Sequence, residues 1–108
     1  MEIKDCKNIL QNVYKLACEY ELSKDDIKLS KYLNALTFDE IKMVQTVMYI
    51  GRDHSSNLKC GNPDAVITDY MNQLENWGSR EEEIGVINEK REQLKTYLQR
   101  AFTILGIE

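Results

Sequence analysis

Apolar side chains recur over residues 3–21 at Ile3, Cys6, Leu10, Val13, Ala17 and Tyr20, in alternating steps of three and four. That spacing places all six on one stripe of a helix. Ile9 and Leu16 widen the stripe, while Lys4, Lys7, Lys15 and Glu19 fall on the solvated face. A short helix over about 25–35 follows from Leu33 and Leu36 with Leu29 or Ile27. Ser23 is its expected N-cap, with Asp26 in the first turn where the helix dipole favours a carboxylate. Thr37 and Glu40 then form a capping box that opens a helix over about 38–50. Phe38, Ile41, Met43, Val44, Val47, Met48, Tyr49 and Ile50 put apolar groups nearly all round it, as expected at the centre of a bundle. Gly51 stands where a left-handed C′ residue would end it.

Residues 51–62, GRDHSSNLKCGN, have no period and read as the longest loop. Asn62 as cap, Pro63 at N1 and Asp64 in the first turn announce the next helix. Val66, Ile67, Tyr70, Met71 and Leu74 give it an apolar face, with Trp77 at its end and Gly78 as its stop. Ser79 and Glu82 form a second capping box, with Glu81 and Glu83 at the positive dipole end. The last helix, about 80–105, runs on Ile84, Ile87, Leu94, Leu98, Ala101 and Leu105 and stops at Gly106. Gly85 weakens its first turns, and Arg91 interrupts the seam, either to pair with a buried carboxylate or where the seam leaves the core. Continuous, it would be roughly 39 Å long, more than a bundle this size needs. No segment alternates like a strand, and no repeat or linker is visible. The expectation is all-α: one domain over 1–108, a small antiparallel helix bundle of four main helices and one short helix.

Composition narrows the functions. The chain has 108 residues, 43% hydrophobic and 30% charged, enough to bury a single core. Its net charge of −4 is spread along both halves with no basic stripe, which argues against nucleic acid and anionic membranes as partners. No apolar run approaches a membrane span, and MEIKDCKNIL lacks the apolar core of a secretory signal. Cys6 and Cys18, about 18 Å apart on one helix, are too far apart for a disulfide, and free thiols point to the cytosol.

Candidate chemistry is thin. The best metal-ligand set is Asp53, His54 and Cys60, without C-x-x-C or H-E-x-x-H spacing, so neither metal nor cofactor is expected. The sole histidine, His54, leaves Cys60 or the adjoining Ser55 and Ser56 as the only nucleophiles it could serve, an arrangement with no recognised catalytic form. The carboxylate groups Asp25–Asp26 and Glu81–Glu83 are accounted for at helix starts. The chain is accordingly not expected to be an enzyme. Arg52, Asp53 and His54 group three functional side chains on the longest loop, where Arg52 would either serve the helix C-terminus or hold a partner's carboxylate or phosphate. Trp77 would either lie over the end of the core or anchor a partner. Met43, Met48 and Met71 read as core filler.

Within residues 33–53, LNALTFDEIKMVQTVMYIGRD, the residues Leu36, Glu40, Met48, Tyr49, Ile50, Gly51, Arg52 and Asp53 match a pattern of their own. The pattern runs from an apolar residue through Leu and Glu into a helix ending Met-Tyr-Ile-Gly-Arg-Asp. It resembles the central helix of a bacterial family known only as a domain of unknown function, and Trp77 and Tyr97–Leu98 correspond more loosely. The resemblance implies a helical fold and supplies no activity. The functional expectation is a cytosolic protein–protein interaction or regulatory module, possible as a homodimer through the overlong last helix. A toxin-neutralising immunity or inhibitor protein is the first alternative. A small enzyme or enzyme subunit using the 51–62 loop is the second.

Overall fold

The computed structural model describes residues 3–53, 62–74 and 77–107. Among them are six helices and no strand: α1 (Ile3–Ser23), α2 (Ile27–Asn34), α3 (Phe38–Asp53), α4 (Pro63–Gln73), α5 (Arg80–Glu89) and α6 (Arg91–Leu105). The all-helical class holds, with one more helix than the hydrophobic pattern implies. A single contiguous core draws on all six, from Leu10 and Val13 of α1 through Leu33, Met48, Ile67 and Ile87 to Leu98 of α6. Helix α3 is its axis. It packs most extensively on α6 and also meets α1, α4 and α5, which is why apolar residues surround it. Met43 and Met48 are fully buried, as filler should be.

Capping chemistry explains the starts of α3, α4 and α5. Glu40 N–H donates to Thr37 Oγ1 at 3.2 Å, and Thr37 N–H donates back to Glu40 Oε1 at 2.8 Å, so the box before α3 closes reciprocally. Asn62 Oδ1 accepts from Ala65 N–H at 3.2 Å, with Pro63 at the first helical position of α4. Glu82 N–H donates to Ser79 Oγ at 3.2 Å at the start of α5. Ser23 departs from expectation. It ends α1 instead of capping α2, and its hydroxyl donates to Glu19 O at 3.0 Å. Lys24 then takes a left-handed φ of 59°, and Asp25 Oδ1 accepts Ile27 N–H at 3.0 Å to launch α2.

Three further boundaries fall elsewhere than the local pattern puts them. Gly51 is not a left-handed C′ residue; it lies inside α3, which runs on to Asp53. A Cβ at Gly51 would overlap the backbone carbonyl of Tyr97 and lie 3.0 Å from its Cα, so the glycine serves a backbone-to-backbone approach of α3 and α6. Helix α4 ends at Gln73, short of Trp77. The last helix is not continuous, and its break comes at Lys90 instead of the expected weak point, Gly85, which is helical within α5. A straight helix of about 39 Å would outrun the molecule's longest extent of 36 Å. At the break, Tyr20 O–H donates to Glu92 Oε1 at 2.6 Å, while Arg91 Nε donates to Tyr20 Oη at 3.2 Å and Arg91 Nη1 to Asn88 O at 2.9 Å. Arg91 thus meets a phenol and a helix end, and the carboxylate nearest its Nε, Asp26 at 3.7 Å, is 47% exposed and not the buried partner expected. Gly106, with φ 73°, ends α6 as expected.

Candidate functional site: a cleft beside Trp77

Of the predicted site residues, Arg52, Asp53 and Trp77 are described. Arg52 and Asp53 occupy the last turn of α3, both exposed, with Arg52 Nε donating to Asp53 Oδ1 at 2.8 Å. The Arg52 guanidinium also lies 4.2 Å over the Tyr49 ring, a cation–π contact. The hydrogen bond to Asp53 holds the Arg52 pKa above its ordinary value. Burial, helped by the Asp53 charge, pushes the Tyr70 phenol up. His54 lies outside the described residues, as do Ser55, Ser56 and Cys60, so the structure places only Asp53 of the Asp53, His54 and Cys60 set. No group of three potential metal ligands occurs among the described residues. Cys6 and Cys18 are free thiols, and burial, followed by the charge of Glu40, raises the Cys6 pKa. No described helix is long and apolar enough to cross a membrane.

Trp77 belongs to the connection between α4 and α5, where it is half-buried. It lines a cleft of about 370 Å³ together with Gln45, Tyr49, Gln73, Leu74, Glu83 and Val86. The volume falls in the range of small-molecule and side-chain pockets. Helix α3 supplies Gln45 and Tyr49, one turn apart on the same face. Helix α5 supplies Glu83 and Val86, three residues apart, and the end of α4 supplies Gln73 and Leu74. Tyr49 is the bridge between the two predicted clusters: its ring carries the Arg52 guanidinium and its residue lines the Trp77 cleft.

Two polar residues of the cleft are largely buried. Gln45 is 5% exposed, its Nε2 donates to Tyr49 Oη across a long 3.4 Å, and its Oε1 is buried with no hydrogen-bond partner among the described residues. Native proteins rarely leave such an atom alone. Glu83 is 8% exposed, and Gly78 N–H donates to its Oε1 at 3.2 Å. No cation among the described residues pairs with this carboxylate. Lys42 stays on the rim, its ammonium 4.4 Å over the Phe38 ring and 5.8 Å from the Trp77 ring centre. Arg80, the nearest arginine in sequence, is turned away. Its Nε and Nη2 donate to Leu36 O at 2.8 and 2.6 Å, and its Nη2 also donates to Asn34 O.

Sequence reasoning found Trp77 but missed Gln45, Tyr49 and Glu83. The available signal was Gln45 itself, a polar residue inside the most apolar helix with a tyrosine four positions on. Glu83 carried no such mark, because three successive glutamates at a helix start are already accounted for by the dipole. Comparison with protein-family models, curated proteins and solved structures found no match.

Proposed function

We propose that the chain is a cytosolic protein–protein interaction or regulatory module and that the Trp77 cleft is its contact face. One observation carries this reading: the chain's only tryptophan stands half-buried in the lining of a concavity that it shares with Gln45, whose buried amide oxygen has no partner among the described residues. Tryptophan contributes strongly to binding where a partner can complete its burial. An unpaired buried acceptor costs about 1–3 kcal/mol in the free protein, a cost that an incoming donor relieves. The enzyme reading gains nothing comparable, since Asp53 is already engaged by Arg52. The toxin-neutralising alternative has one point in its favour, the largely buried Glu83 carboxylate with no cation paired to it among the described residues, which suits a basic partner.

Site-specific photo-crosslinking in the source cells tests the reading. A photoreactive residue at Gln73, on the cleft rim, should give a discrete adduct that disappears with Trp77→Ala. The same group at Lys15 on α1, which contributes nothing to the cleft, should not. Equal adducts at both positions, or none at Gln73, would overturn the reading. An adduct with a basic toxin whose toxicity is relieved on co-expression would select the inhibitor alternative.

A further inference from the structure

We propose that the cleft is built to take an arginine side chain presented by a partner protein. The proposal rests on the reading of the cleft as the contact face, and it names the group that enters. Two acceptors line the cleft: the carboxylate of Glu83, a residue 8% exposed, and Gln45 Oε1, which has no hydrogen-bond partner among the described residues. One Glu83 oxygen accepts from Gly78 N–H at the positive end of α5, and a cation paired with the carboxylate would add a charge-assisted hydrogen bond. Among the described residues none pairs with it. The Lys42 ammonium lies over the Trp77 ring, 5.8 Å from its centre, and makes no ion pair with Glu83, and Arg80 is held on the carbonyls of Leu36 and Asn34.

The walls favour a flat cation on a long apolar stem. Trp77 and Tyr49 supply aromatic surface, and Leu74 and Val86 supply aliphatic surface for methylenes. A guanidinium presents five donors in one plane and stacks on aromatic rings, so it can serve a carboxylate and an amide oxygen together. An ammonium is a compact, strongly hydrated point charge and matches such a pair of acceptors less well. The 3.4 Å bond from Gln45 to Tyr49 is weak, so a small rotation of the amide brings its oxygen to the incoming donor. Elsewhere on the described surface, Leu22 and Ile27 are exposed at the α1–α2 corner, but no polar group there indicates an occupant.

The lone tryptophan makes the test direct. The full chain is titrated with N-acetyl-arginine methylamide while Trp77 emission is followed. The citrulline and lysine counterparts and free arginine are run alongside. The expected result is a saturable change on the order of millimolar with blocked arginine, none with citrulline, and weaker binding by lysine. Glu83→Gln, checked for folding by circular dichroism, should weaken the response at least about tenfold, because one partner of a desolvated charge pair is gone. Should Glu83→Gln not fold, the Gln45 side-chain amide resonances of the unaltered protein decide. They should shift with blocked arginine and stay fixed with citrulline. No saturable change, an equal response to citrulline or lysine, or tighter binding of free arginine than of the blocked form would each overturn the proposal. A Gln73 adduct without an arginine response defeats this inference alone; loss of both defeats the contact-face reading as well.

Discussion

A methyl group added at position 51 has nowhere to go, whereas one added at position 85 meets nothing within 4 Å. Both glycines are helical, so alanine would gain about 1 kcal/mol of helix propensity at either site. At Gly85 that gain stands alone, and Gly85→Ala is expected to stabilise by about 0.5–1 kcal/mol in urea denaturation. At Gly51 the obstacle is the Tyr97 carbonyl, a backbone group that cannot swing aside. Gly51→Ala is expected to cost at least about 2 kcal/mol net or to prevent folding. Gln45 gives a third residue-level outcome. Replacing its amide by the similarly shaped thioether in Gln45→Met removes the orphaned Oε1 and is expected to stabilise by about 1 kcal/mol. The same change should weaken binding in the cleft, so denaturation and Trp77 titration should move in opposite directions.

At the scale of elements, the junction between α5 and α6 is held by a phenol from the other end of the chain. Tyr20, 5% exposed, contacts both Glu92 and Arg91. The Glu92 carboxylate is held below its ordinary pKa, first by the Tyr20 hydroxyl, against desolvation, and then by Lys24. A group depressed in the folded state contributes stability above its unfolded pKa, about 4.3 for glutamate, and loses it as pH falls through the folded value. Melting temperature should therefore fall less steeply between pH 7 and pH 3 in Glu92→Gln than in the unaltered protein, and an unchanged slope would refute the assignment. The same junction shows what local pattern can and cannot convey. The stripes of α1 and α3 and the Thr37–Glu40 and Asn62–Pro63 starts were legible, because each depends on neighbours within a few positions. The Lys90 break was not, since Arg91 answers to Tyr20, 71 positions away. Trp77 was legible as chemistry, but Gln45 and Glu83 became a site only when α3 and α5 met.

For the whole molecule, the break alters the expectation about assembly. The case for a dimer through the last helix stood on a length of about 39 Å. Helix α6 has 15 residues, and its apolar positions Leu94, Leu98, Ala101, Phe102 and Leu105 are buried in the chain's own core. No apolar face of α6 is left for a second copy to cover, so sedimentation should return a species near 12.6 kDa. A particle of twice that mass would call for another surface, and the exposed Leu22 and Ile27 at the α1–α2 corner are the first place to look.

Gly51 precedes Arg52 and Asp53 in the chain, yet its intolerance of a side chain comes from the helix behind it. A saturation screen scoring only growth or activity would find position 51 nearly immutable and draw it into a map of the interaction surface. Pairing such a screen with an abundance readout would separate the two origins: substitutions at 51 would deplete the protein itself, while those at Trp77 would leave it plentiful and mute.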